Sequence, residues 1–277
     1  MHAWVDGQLL DDPEAPAVGV TDHGFTVGDG VFEAVKVVDG RPFALDAHLV
    51  RLRGSAVGLG LPSPDLDAVR AGVEAVLGAA ERDGGLSLGR LRITVTGGSA
   101  PLGSGRAEHD ELTLAVVAAP MAPAAASATV VTVPWPRNER GALAGLKTTS
   151  YAENVVALAA ARRAGADEAV FANLQGHLCE GTGSNVFYVV DGELRTPTLA
   201  SGCLAGVTRR LVLDWVGASE VDEPVEVAET ADEVFLVSTT RDVQPVVRWG
   251  DRDLEVGPVT RAAAATWAER EVQLLGR

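Results

Sequence analysis

The stretch Ala118-Ala119-Pro120-Met121-Ala122-Pro123-Ala124-Ala125-Ala126-Ser127 most constrains what this chain can fold into. Its side chains are small, it carries two prolines, and no hydrophobic period runs through it. That is the composition of a connector rather than of a packed element. Read as a linker over 118–128, it divides the 277 residues into a part of residues 1–117 and a part of residues 129–277. Each part must bury its own apolar surface, and each is long enough to do so.

Both parts mix strand and helix periods. In the first, Asp6-Gly7 marks a short opening hairpin, and Gly28-Asp29-Gly30 punctuates the chain before a strand over 31–38. Asp39-Gly40 predicts a tight turn and a return strand over 41–45. The spacing of Leu49, Leu52 and Ala56 predicts a helix over 46–58, and a second follows over 65–80. Strands are expected over 90–96 and 112–117. In the second part, strands are expected over 129–133, 168–172, 186–190, 193–195 and 234–237. Helices are expected over 151–164, ended by Gly165, and over 208–216 and 258–274. The class is α+β: two mixed αβ domains with a cleft between them.

Composition excludes several kinds of function. The formal charge of −15 disfavours nucleic acid and anionic membranes as partners. No apolar run approaches the roughly 20 residues of a membrane span, and no signal peptide is read at the N-terminus, so the expectation is a cytoplasmic protein. There is no CxxC, no HExxH and no tight His/Asp/Glu cluster, so no metal is expected. Cys179 and Cys203 are expected to be free and buried.

Against that background the lysines stand out, because there are only two, Lys36 and Lys147. Lys36 falls in Val31–Val38, where alternation puts it on the polar face of a strand. Lys147 lies in Leu146-Lys147-Thr148-Thr149-Ser150-Tyr151, at the mouth of a helix and with no acidic neighbour. A lysine forms a Schiff base with a carbonyl only when its amine is partly neutral, which takes desolvation or a nearby cation. Three further segments fit ligand chemistry. Glu180 followed by Gly181-Thr182-Gly183-Ser184-Asn185 and then a strand fits a carboxylate at a ligand rim. Gly206 and Thr208 open an apolar-striped helix, a ready phosphate site, with Ser238-Thr239-Thr240 offering further hydroxyls. His48 and Arg51 share a helix face, and an arginine suits a phosphate. Singly, these are also the marks of a solvated lysine, a β-turn, an N-capped helix and an exposed helix arginine.

Their order along the chain resembles the class IV aminotransferases, the fold type IV enzymes of pyridoxal 5′-phosphate (PLP). The likeness covers essentially the whole chain. It rests on Gly28-Asp29-Gly30-Val31-Phe32-Glu33, His48-Leu49-Val50-Arg51-Leu52, Leu146-Lys147, Gly165-Ala166-Asp167-Glu168-Ala169, Glu180-Gly181 with Ser184-Asn185-Val186-Phe187, Gly206-Val207-Thr208-Arg209 and Ser238-Thr239-Thr240. The resemblance implies that the cofactor lies in the cleft between the two domains, carried by Lys147 as a Schiff base, and that Lys147 moves the substrate proton. It implies that Glu180 pairs with the pyridine nitrogen, and that Arg51, Gly206, Val207, Thr208 and Thr239 hold the phosphate. Leu204 would pack on the ring, Ser184 and Asn185 would lie in the loop beside it, and Tyr151 would approach the phenolic oxygen. It also implies a homodimer.

Departures from the family pattern bear on the substrate. D-amino-acid transaminases of the best-known kind carry a tyrosine where this chain has Phe32, and an arginine where it has Gly97. Another cation must then meet an α-carboxylate, and Arg92, Arg137, Arg140 and Arg241 are candidates, with Phe32 and Thr240 as further substrate contacts. The resemblance implies a transaminase joining an amino donor, a D-amino acid or (R)-amine, to a keto-acid acceptor. The alternative is 4-amino-4-deoxychorismate lyase. A branched-chain L-amino-acid aminotransferase and a non-catalytic PLP-binding protein stand behind these.

Overall fold

The computed structural model describes residues 1–108 and 111–276. The chain divides into two compact units. One comprises Met1–Pro123 with Leu146–Ser150, and the other Ala124–Gly145 with Tyr151–Arg277.

The first unit is a six-stranded sheet under two helices. Its strands are β1 (His2–Val5), β2 (Gln8–Leu9), β3 (Gly30–Val38), β4 (Arg41–Pro42), β5 (Leu88–Thr96) and β6 (Thr113–Pro120), in spatial order β2-β1-β6-β5-β3-β4. A single helical turn, α1 (His23–Thr26), precedes β3, and the long helices are α2 (Leu45–Leu59) and α3 (Leu66–Arg82). Every neighbouring pair in this sheet is antiparallel. Alternate residues of the central strands form the core: Val31, Val35 and Val37 of β3, Leu91, Ile93 and Val95 of β5, and Val116 and Ala118 of β6. Leu49, Leu52 and Ala56 of α2 and Val69, Val73 and Val76 of α3 belong to the same cluster. These are the period-2 and period-3.6 stripes of the sequence meeting face to face. The carboxylate of Asp65 caps α3, accepting from the backbone N–H of Asp67 and Ala68 at 2.9 and 3.2 Å. Gly72 lets α3 approach the sheet closely: a Cβ there would lie 2.8 Å from the indole of Trp4.

The second unit is built on a nine-stranded sheet. Its strands are β7 (Ala128–Thr132), β8 (Glu168–Ala172), β9 (Leu178–Gly181), β10 (Asn185–Val190), β11 (Glu193–Thr196), β12 (Ser219–Glu220), β13 (Glu233–Ser238), β14 (Asp242–Trp249) and β15 (Arg252–Asp253). The path is β12-β11-β10-β13-β14-β7-β8-β9, with β15 on β14. The pairs β14–β7, β7–β8 and β11–β12 are parallel and the rest antiparallel. The helices are α4 (Ala152–Arg163), α5 (Val207–Trp215), α6 (Val225–Glu229) and α7 (Pro258–Leu274). The buried carboxylate of Glu233 accepts from the first-turn N–H groups of Val259 and Thr260, which pins α7 to β13.

Four expectations change. The return strand after Asp39-Gly40 stops at Pro42, because Ala44 adopts a left-handed conformation (φ 50°) to start α2. Lys36 is buried rather than on a polar face; its amine lies 5.6 Å from the ring of Phe43, which the turn folds back over it. The connector is shorter than 118–128, since β6 runs on to Pro120, opposite Gly89, and β7 begins at Ala128. Finally, β14 was not expected: Asp242, Pro245 and Arg248 interrupt its apolar pattern, yet it lies between β13 and β7. No helix among the described residues is long and apolar enough to cross a membrane.

Leu52 is fully buried at the centre of the first core. Leu52→Ala is expected to destabilise the protein by about 2–5 kcal/mol, through lost burial and an unfilled cavity. Urea unfolding followed by circular dichroism measures it, and a cost under about 1 kcal/mol would contradict this packing.

Candidate active site

In the first unit, β4 pairs only with the C-terminal end of β3, which leaves the N-terminal half of β3 short of a backbone partner on that side. Residues 146–150 take the place. The N–H of Phe32 donates to the carbonyl of Lys147 (3.0 Å), Thr148 bridges Val31, and the N–H of Thr149 donates to the carbonyl of Gly30 (2.8 Å). The hydroxyls of Thr149 and Ser150 both donate to the carbonyl of Gly28, at 2.9 and 3.0 Å. On the helix side, the N–H of Lys147 donates to the Ser55 hydroxyl of α2 (3.1 Å). The side chain of Leu146 fills the space over Gly58, where a Cβ would come within 2.6 Å of it. Lys147 is therefore seated on a strand edge. It is not at the mouth of a helix, since α4 starts only at Ala152.

Its amine lies 4.4 Å from the ring centroid of Phe32. The guanidinium of Arg92 lies over the same ring at 3.5 Å, and its Nε donates to the Thr94 hydroxyl of β5 (3.2 Å). Amine and guanidinium carbon are thus no more than about 8 Å apart.

Arg51 is held in the same unit by a carboxylate that sequence reasoning passed over. Glu33 is fully buried and sits among the valines of β3. Its Oε1 accepts from Arg51 Nε (2.7 Å), and its Oε2 accepts from Arg51 Nη2 (2.7 Å) and from His48 Nδ1 (2.7 Å). Burial alone would raise the pKa of Glu33, but the hydrogen bonds and charges of Arg51 and His48 outweigh it and hold the group down at about 2. Burial lowers the pKa of His48, against the pull of Glu33, so the imidazole is neutral near pH 7 with its Nδ1 proton on Glu33. The signal in the sequence was a lone acid on an otherwise apolar period-2 face.

The second unit assembles a different set. Glu180 stands on β9, not in a plain turn. Its Oε2 accepts from the N–H of Leu204 (2.8 Å), and its Oε1 lies 3.3 Å from Arg137 Nε. Arg137 stacks on Phe171 at 4.1 Å and donates to Asn154 (3.0 Å). Asn185 donates to the carbonyl of Leu204 (2.9 Å), and a Cβ on Gly206 would meet its Oδ1 at 2.1 Å. Glu180 and Asn185 therefore hold both backbone groups of Leu204, two residues before Gly206 at the start of α5. That helix begins at Gly206 with no side-chain cap, and Thr208 is buried in its first turn. Thr239 and Thr240 form the turn after β13, beside Ser238, whose hydroxyl is buried and has no hydrogen-bond partner. Tyr151 is the residue before α4 and its side chain caps nothing.

Ser184 and Arg241, both named from the sequence, share one buried partner. The Ser184 hydroxyl donates to buried Glu168 (3.0 Å), as does the N–H of Gly183 (2.8 Å). Arg241 donates to the same Glu168 and to Gln244 (2.5 Å). With Arg137 on Glu180 and Arg140 largely exposed beside Glu139, Arg92 is the candidate that shares a ring with Lys147. Cys179 and Cys203 are free, and burial pushes both thiols up, Cys203 to about 11. Among the described residues no cluster of three or more His, Cys, Asp or Glu side chains could hold a metal ion.

Because the folded-state pKa of Glu33 lies below its unfolded value of 4.5, its stabilisation is fully present above pH 4.5 and is lost as pH falls towards 2. Glu33→Gln is expected to cost a few kcal/mol at pH 7, and the gap from the parent protein is expected to narrow steadily below pH 4.5. Urea unfolding at pH 7, 4.5 and 3 reads this, and a gap independent of pH would contradict it.

Comparison with known proteins identifies the family. The chain matches the family described as amino-transferase class IV over residues 30–249. The structure of a branched-chain aminotransferase from Thermoproteus uzoniensis, solved with norvaline, superposes with a TM-score of 0.88 at 29% identity, covering 100% of this chain and 95% of that one. A hypothetical aminotransferase from Mycobacterium tuberculosis, solved in a PLP-bound form, gives 0.86 at 26% identity, covering 99% of both chains. A bifunctional aminodeoxychorismate lyase / D-amino acid transaminase of Mycobacterium tuberculosis is 31% identical over 259 residues, 84% of this chain and 83% of that protein. This chain, with two mixed αβ units, belongs to the class IV aminotransferases.

Proposed function

We propose that this protein is a PLP-dependent transaminase that exchanges an amino group between a small amino acid, a D-amino acid foremost, or an (R)-amine and a 2-keto acid. The observation that carries the reading is the pair of cations on the Phe32 ring, Lys147 at 4.4 Å and Arg92 at 3.5 Å. A reactive amine and a carboxylate receptor no more than about 8 Å apart match the reach of an α-amino acid, whose carboxylate and Cα are adjacent. A D-amino acid is favoured by the likeness to the bifunctional mycobacterial protein.

The residues present fit the cofactor. The start of α5 lacks a side-chain cap, Gly206 admits no Cβ, and Ser238 presents a buried hydroxyl without a partner. Uncapped first-turn amides beside hydroxyl groups are what a phosphate needs. Val207, Thr208 and Thr239 would hold the phosphate with Arg51, and Glu180 would face the ring nitrogen with Leu204 against the ring. PLP bound there supplies an electron sink for the pair left at the substrate Cα. The amine of Lys147 would carry the cofactor and, once the substrate's amine has displaced it, would be free to take the Cα proton. Arg92, held over the Phe32 ring and bonded to Thr94, grips the α-carboxylate. Glu180, paired with Arg137, would keep the ring nitrogen protonated.

An absorbance spectrum of the purified protein with D-alanine, without a keto acid, tests the reading. The expected outcome is loss of a yellow band with one pyruvate released per site. A yellow band indifferent to D-alanine, with 4-aminobenzoate formed from aminodeoxychorismate, would establish the lyase instead, the second activity of the bifunctional relative. No yellow band even with added PLP would overturn both readings. Lys147→Ala is expected to abolish turnover while keeping the fold. Arg92→Leu is expected to raise KM for α-amino acids about 10- to 100-fold, the worth of a charged hydrogen bond, and to leave amines without a carboxylate unaffected. Equal losses on both substrates would remove Arg92 from the carboxylate site.

A further inference from the structure

We infer that Glu33 is a positioning residue for the cofactor's phosphate: it grips Arg51 along one edge of the guanidinium so that the opposite edge is presented to the anion. The inference rests on the reading of Arg51 as a phosphate ligand. It adds a residue that makes no phosphate contact of its own.

The geometry is specific. Glu33 takes Nε with one oxygen and Nη2 with the other, both at 2.7 Å, a two-point grip that restrains rotation of the guanidinium. This side-on fork turns the edge bearing Nη1 away from Glu33. Nη1 and the second proton of Nη2 form the parallel pair of donors that suits two phosphate oxygens. Glu33 itself cannot shift. It is fully buried on β3, and its Oε2 also takes the Nδ1 proton of His48, which is equally buried. His48 and Arg51 lie three residues apart on α2, so one carboxylate fixes both side chains of that helix face.

The charges make the role testable by its sign. His48 is neutral, so the cluster holds one negative and one positive charge. A negative carboxylate behind Arg51 opposes an anion by Coulomb's law. If Glu33 acted through charge alone, removing it would tighten phosphate binding. If it acts by aiming Arg51, removing it weakens binding, and only for ligands that carry the phosphate.

The experiment titrates the full-length protein, stripped of cofactor, with PLP and with pyridoxal, which lacks the phosphate, and compares the two affinities. Glu33→Gln is expected to lower PLP affinity roughly tenfold or more, the usual range for a residue that orients a ligand group, and to leave pyridoxal affinity unchanged. Unchanged or tighter PLP binding would overturn the inference, and so would an equal loss for both ligands, which a general structural defect produces. Glu33→Asp serves if the glutamine variant does not fold. It keeps the charge but withdraws it by a methylene, so the fork cannot close, and the same selective loss is expected. Arg51→Ala separates the two levels. If it leaves the preference for PLP over pyridoxal intact, the phosphate role of Arg51 fails. If it abolishes the preference while both Glu33 variants keep it, only the role of Glu33 fails.

Discussion

A strand edge without a backbone partner is costly, and the N-terminal half of β3 would be one if residues 146–150 did not pair with it. That pairing fixes where Lys147 sits in the first unit. It takes five residues from a segment whose flanks belong to the second unit and commits them to the first. Lys147 is gripped at both backbone groups, by Ser55 and by Phe32, while Leu146 plugs into α2 over Gly58. The amine then extends from a rigid base onto the ring of Phe32. A lysine on a mobile loop would lose entropy each time it reached its target; this one has been ordered by folding.

Two buried carboxylates, one in each unit, join segments that carry candidate site residues. Glu33 joins β3 to His48 and Arg51 of α2. Glu168, on β8, joins the Gly183–Ser184 turn to Arg241 in the turn after β13. Both are nearly inaccessible to water, and a buried carboxylate is tolerated only when its lone pairs are well supplied with donors. Each has three or more. In the second unit this arrangement links the loop after Glu180 to the turn that carries Thr239, so two separate stretches of chain are held in one position.

The roles that could be read from residue order differ from those that could not. Lys147, Glu180, Arg51 and the Gly206–Thr208 turn stand out in the sequence as candidates because rare or chemically distinct residues recur in a set order. Most element positions followed from period and punctuation: 168–172 and 258–274 agree with the structure to the residue. What escaped were relations between distant residues. Four arginines were equivalent candidates in the sequence. Folding gave Arg137 to Glu180 and Arg241 to Glu168, left Arg140 exposed, and laid Arg92 on Phe32. The bond from the Ser184 hydroxyl to Glu168, sixteen positions away, was equally illegible. β14 was hidden by a proline and charges that matter little once strands on both sides complete its bonding.

By itself, the sequence determined the class of fold, two mixed αβ units, and the family, because hydrophobic period, glycine turns and an ordered set of functional residues are properties of the chain read locally. Only the tertiary structure decided which side chains bond to which. A buried charge takes whatever partner the packing brings within about 3 Å, and that depends on strand pairing between residues more than a hundred positions apart, such as Val130 and Trp249. Glu33 shows the difference most clearly: in the sequence it is one acid among valines, and in the fold it holds Arg51 and His48 in place.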